Sequence, residues 1–241
     1  MLEIRGLSKK YFGETVLEDI NLVVEPGEIV GLFGENGAGK TTLLKCIPGL
    51  LKYEGQVLLD GEPVNNKNIG RISYAASEHS FFPLLDGRGH RDFYAEHFKN
   101  FREARFNALT DFLGLPLNKK LKNLSSGQQS QFEAVLALCQ GADYILIDEL
   151  FAGSDIFRRE DFYKILIGIS EPEESVILST HLAGEVGNLV GRAVVLAGGR
   201  VIADEDMSEL EEEGMDLTGF LRKTCGYDSR RIEMIFDEFP H

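Results

Sequence analysis

The sequence contains no run of eighteen or more apolar residues, so we expect no segment of it to span a bilayer. Basic residues are also few, since 25 lysines and arginines stand against 39 acids. The resulting net charge of −14 argues against a non-specific hold on nucleic acid or anionic lipid. The first residues lack the basic-then-apolar layout of a signal peptide, which predicts a cytoplasmic protein.

Cysteine is scarce as well. The three cysteines, Cys46, Cys139 and Cys225, lie far apart and show no metal-type spacing. This pattern predicts buried, reduced thiols at all three positions rather than a metal site. Internal repeats and low-complexity segments are also lacking, and 241 residues suit one domain with an inserted lobe as well as two domains.

Short apolar runs alternate with helical patterns along the chain. The runs with strand character are residues 2–6, 28–33, 56–60, 71–75, 144–148, 175–180 and 193–197. Helical patterns cover residues 41–51, 128–140 and 157–170. Several runs are continuously apolar, as in parallel strands that are covered on both faces, so an α/β fold is predicted.

Two regions depart from this alternation. Turn residues at 26–28 and 60–62 divide the first sixty residues and predict an antiparallel β layer. Residues 80–124 lack a strand-like run and repeat aromatics and leucines at helical spacing, which predicts an inserted helical subdomain. We expect a single domain with its core in 1–79 and 125–204. An acidic, helical C-terminal extension then covers 205–241, with residues 204–216 on a solvated helical face.

The stretch GENGAGKTT follows an apolar run and opens a helical pattern. It matches G-x-x-x-x-G-K-[ST], in which glycines let backbone N–H groups wrap phosphate oxygens at a helix N-terminus. Lys40 is expected to reach the terminal phosphates, and the Thr41 hydroxyl to ligate Mg²⁺. The predicted nucleotide-binding residues are Gly34, Glu35, Asn36, Gly37, Ala38, Gly39, Lys40, Thr41 and Thr42.

A second apolar run, YILID, ends in two adjacent acids. Two carboxylates at the end of a buried strand are costly unless something positive is held there. Asp148 is therefore predicted to hold Mg²⁺ through water beside Thr41. Glu149 is placed to polarise a water that attacks the γ-phosphate.

Other phosphate-loop classes fit less well. GTPases carry N-K-x-D, and the stretches NNKN and NKKL both lack the final Asp. The helical region is only modestly basic, unlike the Arg-rich lid of small-molecule kinases. The distinguishing stretch is LSSGQQSQ at 124–131, about twenty residues before Asp148. By itself this pattern could simply cap a helix.

Together with the other motifs, the stretch resembles the L-S-G-G-Q signature of the ATP-binding cassette (ABC) ATPases. Ser125, Ser126, Gly127 and Gln128 match it, with one Gly replaced by Ser. The resemblance covers nearly the whole chain. It implies a P-loop NTPase (RecA-like) core, ATP and Mg²⁺ as cofactors, and a signature that closes over the γ-phosphate bound by the opposite subunit.

The same resemblance implies roles for three further residues. Tyr11 matches the aromatic residue that stacks on adenine. Asp155 matches the acid of the D-loop, which crosses the dimer interface. His181 matches the switch histidine that contacts the γ-phosphate and orients Glu149.

The chain departs from the family pattern at three places. Ser77 stands where the family has a Gln that touches Mg²⁺ and the attacking water, and Ser is shorter. Leu150 and Phe151 replace the usual Pro-Thr after the acids, and Glu35 replaces a frequent Pro. These departures predict slower or differently regulated hydrolysis.

The resemblance implies the ATP-hydrolysing subunit of an ABC transporter, of an efflux type. Two copies would pair on binding ATP, and a separate membrane permease would hold them at the inner face of the cell membrane. Two alternatives stay open: a soluble ABC-type ATPase that acts on DNA or ribosomes, and an ATP-gated regulatory module with impaired hydrolysis.

Overall fold

The computed structural model describes residues 1–150, 164–165, 168–180 and 183–226. Its strands are β1 (Leu2–Tyr11), β2 (Glu14–Val24), β3 (Ile29–Phe33), β4 (Glu54–Leu59), β5 (Glu62–Pro63), β6 (Ile72–Ala76), β7 (Tyr144–Asp148), β8 (Ser175–Ser179), β9 (Arg192–Ala197) and β10 (Arg200–Asp206). Its α-helices are α1 (Lys40–Cys46), α2 (Gly87–His97), α3 (Glu103–Phe112), α4 (Ser126–Cys139), α5 (Ala183–Val186), α6 (Met207–Glu212) and α7 (Leu217–Thr224).

The first strands form a four-stranded antiparallel sheet in the order β2-β1-β4-β5. Residues 12–13 join β1 to β2 in a tight hairpin, in which Tyr11 pairs with Glu14. The turn before β3 contains Gly27, whose φ is +84°, and the turn between β4 and β5 contains Gly61, whose φ is +83°. The predicted antiparallel layer is confirmed.

The second sheet has six strands in the order β10-β9-β3-β8-β7-β6. All neighbours from β9 to β6 run parallel, and β10 is an antiparallel edge strand. The sequence did not predict that β8 lies between β3 and β7. Because parallel strands end at the same edge of a sheet, this order places the ends of β3, β8 and β7 side by side.

Two apolar cores fix these layers relative to each other. Helix α1 lies between the two sheets, where Leu43 and Leu44 pack in one cluster with Ile4 and Leu32. On the other face of the parallel sheet, α4 supplies eight consecutive buried residues, from Phe132 to Cys139. Covering both faces in this way explains the continuously apolar strands, and the predicted α/β fold class is confirmed.

Residues 80–124 contain α2, α3 and a short 3₁₀ turn, Leu121–Asn123, but no strand. Asp86 caps α2 by accepting a hydrogen bond from Gly89 N at 2.8 Å. Phe106 of α3 meets Phe132 of α4 edge to face, at 6.0 Å between ring centroids. The helical region therefore packs on the parallel sheet through α4.

No helix in the described part of the chain has both the length and the apolar character needed to cross a bilayer.

Three expectations are corrected. Residues 204–206 end strand β10, where Asp204 pairs with Arg192 at 2.6 Å, so only the later acidic residues are helical. The helix that follows the glycine loop stops at Cys46, before Pro48, because proline cannot continue the hydrogen-bond ladder. Cys46 and Cys139 are buried as predicted, but Cys225 is exposed because it follows the last turn of α7.

His90 gives one pH prediction for the fold. The ring is fully buried, and its Nε2 accepts from Phe82 N at 3.0 Å, so this nitrogen is unprotonated. Burial lowers the pKa of His90 below its ordinary value of about 6.5. Below about pH 6.5 the unfolded chain therefore binds more protons than the folded chain, so the free energy of unfolding must fall as the pH falls.

We expect the free energy of unfolding to drop between pH 7.5 and pH 5.5 by a smaller amount in His90→Gln than in the parent chain. Chemical denaturation at both pH values measures this. His79, whose pKa burial also lowers, is common to both proteins and cancels in the comparison. Equal drops in the two proteins would contradict the assignment.

Candidate nucleotide-binding and hydrolysis site

The glycine loop connects the end of β3 to α1. Gly34 has φ +151°, and a Cβ built there would lie 2.2 Å from the carbonyl oxygen of Leu196 in β9. Gly39, with φ +106°, would place a Cβ 2.7 Å from Leu17 Cδ2. Only glycine fits these two positions, so the backbone itself forms the concave surface. Glu35, Asn36, Gly37 and Thr41 are exposed along this loop, and Ala38 and Gly39 are buried.

Lys40 begins α1 and is only 5% exposed. Its Nζ donates to the carbonyl oxygens of Gly34 at 2.8 Å and Glu35 at 3.2 Å. The same Nζ lies 3.4 Å from Glu149 Oε1. The ammonium group thus lies inside the loop among oxygen acceptors, where phosphate oxygens of a nucleotide can replace the carbonyls.

Asp148 ends β7 and is 4% exposed. Its Oδ1 accepts from Thr41 Oγ1 at 3.1 Å and from Ser179 Oγ at 2.6 Å, and its Oδ2 accepts from Tyr74 Oη at 3.3 Å. Burial and the Asp148 charge raise the pKa of Tyr74, which keeps this hydroxyl a donor. Within the described residues, the carboxylate is held by neutral hydroxyls and has no cation in an ion pair.

Glu149 follows directly and has φ +43°, in the left-handed region that non-glycine residues rarely adopt. Its backbone N–H donates to the carbonyl oxygen and the Oγ of Ser179, both at 3.2 Å. Strained backbone of this kind persists where surrounding contacts fix it, often at functional sites. At this position the Glu149 carboxylate lies beside Lys40.

The residues at this edge suit a small, hard cation. Thr41 Oγ1 and Asp148 Oδ1 are 3.1 Å apart and offer the hydroxyl and carboxylate oxygens that Mg²⁺ prefers. The described residues contain no group of three or more histidines, cysteines or acids able to hold a metal by themselves. A magnesium ion here would therefore complete its shell with phosphate oxygens and water, as expected for one that arrives with a nucleotide.

Ser77 is the first residue after β6, whose last residue, Ala76, pairs with Asp148 across the sheet. The chain order and this pairing place Ser77 at the same edge as the two acids, and it is exposed there. Its neighbour Glu78 turns to Lys45 of α1, with 2.6 Å between Oε2 and Nζ. Thr42, also on α1, is half-buried.

The signature stretch begins α4. Ser125 caps the helix by accepting from Gln128 N at 3.3 Å, and Gln128 Oε1 accepts in return from Ser125 N at 3.2 Å. Ser125 and Ser126 are exposed, and a Cβ built on Gly127 meets nothing within 4 Å. Ser125 therefore caps α4, and the exposed N-terminus of the helix remains accessible to an anion held by another molecule.

Tyr11 ends β1 at the hairpin and is 37% exposed. Lys9 Nζ lies 4.7 Å from the centre of its ring. The next residue, Phe12, is fully exposed with φ +50°, and sequence analysis missed it although the aromatic pair before Gly13 was a signal. Ser179 and Tyr74 were missed because their role depends on which strands are neighbours.

Asp155, His181 and Phe151 lie outside the described residues, so the roles expected of them stay predictions. Leu150 is described and is buried, at 2% exposure. The structure thus brings together Lys40, Thr41, Asp148 and Glu149. Neither Tyr11 nor the signature residues take part in the contacts given above for these four residues.

Comparisons with known proteins agree with this geometry. The family model described as "ABC transporter" matches residues 17–152. The phosphonates import ATP-binding protein PhnC of Alcaligenes faecalis is 33% identical, over 88% of this chain and 85% of its own length. The lipopolysaccharide export system ATP-binding protein LptB of Haemophilus influenzae is 31% identical, over 84% of this chain and 89% of its own length.

A solved structure, described as the ATP-binding subunit of an ABC transporter, superposes with a TM-score of 0.81 at 25% identity. It covers 93% of this chain, and this chain covers 99% of it.

The position of Glu149 gives a prediction about turnover. Glu149→Gln removes the acceptor for a proton but keeps the shape of the side chain, so ATP affinity should stay within about threefold while turnover falls roughly a hundredfold or more. Nucleotide titration and phosphate release measure the two quantities. Glu62→Gln, on the exposed strand β5, is the matched control and should behave like the parent chain. Hydrolysis by Glu149→Gln at the parental rate would contradict a role for Glu149 in activating water.

Proposed function

Because this chain belongs to the ABC transporter family of ATP-binding proteins and is an ABC-type ATPase, we propose that it energises solute movement through a separate membrane permease. The observation that carries the proposal is the group formed by Lys40, Thr41, Asp148 and Glu149 at one edge of the parallel sheet. Binding of ATP there would close two copies of the chain, and hydrolysis would reopen them.

Nucleotide binding would use the loop of residues 34–39, with Lys40 on the terminal phosphates and the hairpin residue Tyr11 against the adenine. Thr41 and Asp148 would hold Mg²⁺, which neutralises charge on the phosphates when it is bound. Their present hydrogen bond supports this, because both oxygens already point at one place. Ser77 would reach the magnesium through a water, since its side chain is short.

Hydrolysis would use Glu149 to polarise the attacking water. The place of the Glu149 carboxylate, 3.4 Å from Lys40 Nζ, supports this assignment. We propose that His181 orients Glu149. Ser77, in place of a longer Gln, favours hydrolysis that is slower than usual or that depends more on the partner.

Pairing of two copies would place the helix N-terminus at Ser125, Ser126 and Gly127 against the γ-phosphate held by the other copy. Exposure of the two serines and the open space at Gly127 support this contact. Asp155 would cross the same interface. The negative charge of a triphosphate suits a capped helix N-terminus, which has no phosphate of its own.

Contact with the permease would use the proposed helical subdomain, residues 80–124. Three of the large apolar side chains that are exposed among the described residues lie there, Phe82, Leu84 and Phe112, and a permease would cover them. The permease would keep the ATPase at the inner face of the membrane. The named relatives are described as parts of one import and one export system, so likeness to them supports transport without favouring either direction.

The permease proposal predicts a stable complex with a membrane protein. The tagged full chain, expressed in its own host and extracted in mild detergent, should carry one multi-span membrane protein in fixed ratio. When that pair is reconstituted in vesicles, ATP should drive solute movement and solute should stimulate phosphate release. A double variant, Phe82→Ser with Leu84→Ser, should keep ATP binding but lose the complex.

Two results would count against the proposal. Recovery of the chain with ribosomes or DNA in place of a membrane protein would favour the soluble ABC-type ATPase. Recovery of the complex with ATP binding but without measurable phosphate release would favour the ATP-gated regulatory module.

A further inference from the structure

Glu133 is a carboxyl residue in the middle of an apolar helix. It lies in α4 within the buried run from Phe132 to Cys139, and it is 1% exposed. The other seven residues of that run are apolar. A carboxyl group at such a place is disfavoured unless hydrogen bonds offset its loss of water. The partners of Glu133 therefore indicate why it is there.

The partners come from the segment that leaves the active-site edge. Glu133 Oε1 accepts from Ser80 N at 2.9 Å and from Ser80 Oγ at 2.5 Å. Burial raises the pKa of Glu133, and the hydrogen bonds from Ser80 act against that rise. Oxygen Oε1 of Glu133 is thus held by the chain that follows β6, while Oε2 is buried without a hydrogen-bond partner among the described residues.

This segment, residues 77–82, links the acids of β7 to the helical region. It begins at Ser77, directly after the Ala76–Asp148 pair, and its far end is fixed by the hydrogen bond from Phe82 N to His90 Nε2. His79 within it has φ +57°, so the turn is sharp. Ser77 is therefore three residues before Ser80, which is hydrogen-bonded to Glu133 of α4.

Helix α4 extends the connection to the signature. Glu133 follows Ser125 by eight residues, about 12 Å along a helix, and no glycine or proline interrupts the helix between Gly127 and Glu133. A rigid helix of this length moves as one body. Any displacement of its N-terminus is then transmitted to Ser80.

We propose that Glu133 is a positioning residue that fixes the segment of residues 77–82 to the signature helix, so that closure of the ATP-bound dimer sets the place of Ser77. The inference rests on the proposed function, because it needs the signature of one copy to be moved by a nucleotide in the other. Glu133 does not touch the nucleotide. It acts through Ser80 and the backbone between Ser80 and Ser77.

The first test compares Glu133→Ala with Glu133→Gln by steady-state hydrolysis in the full chain. The amide oxygen of Gln can accept both Ser80 bonds, and Ala can accept neither. We expect Glu133→Ala to lower kcat roughly tenfold with less than about threefold change in KM, and Glu133→Gln to stay within about threefold of the parent. A purely structural role would lower the active fraction of both variants in proportion to their stability.

The matched control is Thr110→Val. Thr110 is as deeply buried as Glu133, at 1% exposure, but among the described residues its hydroxyl bonds only to Phe106 and Asn107 of its own helix. Its replacement should leave kcat and KM at parental values. This control removes a buried polar group from the helical region without removing the contact with Ser80, so a lower kcat in Glu133→Ala alone is assigned to that contact.

A second test reports the position of the segment directly. The chain has no tryptophan, so Phe82→Trp introduces a single tryptophan, which can be excited selectively over the seven tyrosines, at a half-exposed site beside His90 and Phe93. Adding Mg·ATP to the Phe82→Trp chain should shift its tryptophan emission. The shift should be absent in the double variant that carries both Phe82→Trp and Glu133→Ala. Titration with ATP in the same cuvette shows whether nucleotide still binds.

The outcomes separate this inference from the proposed function. A parent chain without phosphate release would refute the proposed function itself. Two results would overturn this inference while leaving the proposed function intact, provided that the parent chain hydrolyses ATP. In the first, Glu133→Ala folds and has the same kcat and the same emission shift as the parent. In the second, Glu133→Gln is as impaired as Glu133→Ala. If Glu133→Ala fails to fold, Glu133→Leu replaces it, because Leu fills the buried place and, like Ala, accepts neither Ser80 bond. An unchanged kcat in Glu133→Leu would then overturn the inference.

Discussion

The rest of the structure depends on holding two adjacent carboxylates at the end of a buried strand. Asp148 and Glu149 repel each other, and burial of Asp148 removes water that would stabilise its charge. The fold answers with three hydroxyls on Asp148 and with Lys40 beside Glu149. These donors come from β6, α1 and β8, so the parallel sheet order is a condition for the site to exist.

Sequence analysis reached the loop and the acids because their chemistry is local. The glycines, Lys40 and Thr41 lie within eight residues, and Asp148 and Glu149 follow an apolar run. Ser179 and Tyr74 could not be found in this way, since they matter only because β8 lies between β3 and β7 and β6 lies beside β7. Cys225 was misplaced because burial of a cysteine was assumed from its residue type, and the end of α7 exposes it.

One departure from the family pattern, Ser77, begins a segment that contacts helix α4. Ser77 is shorter than the Gln that the resemblance leads one to expect, and the following residues are fixed by Glu133 and His90. No apolar-periodicity argument points to Glu133, because a single acid in a helical run is ordinarily assigned to the solvated face. Its burial becomes visible only when the segment after β6 packs against α4.

The central claim is that a triphosphate held by the loop of one copy is closed by the signature helix of another. Mixing the Glu149→Gln chain with Mg·ATP and measuring the particle mass in solution by light scattering tests this claim most directly. The account predicts a nucleotide-dependent rise from 26.8 kDa to about twice that mass, reversed when ATP is removed. Particles that bind ATP yet keep the mass of a single chain, with and without the permease, would contradict it.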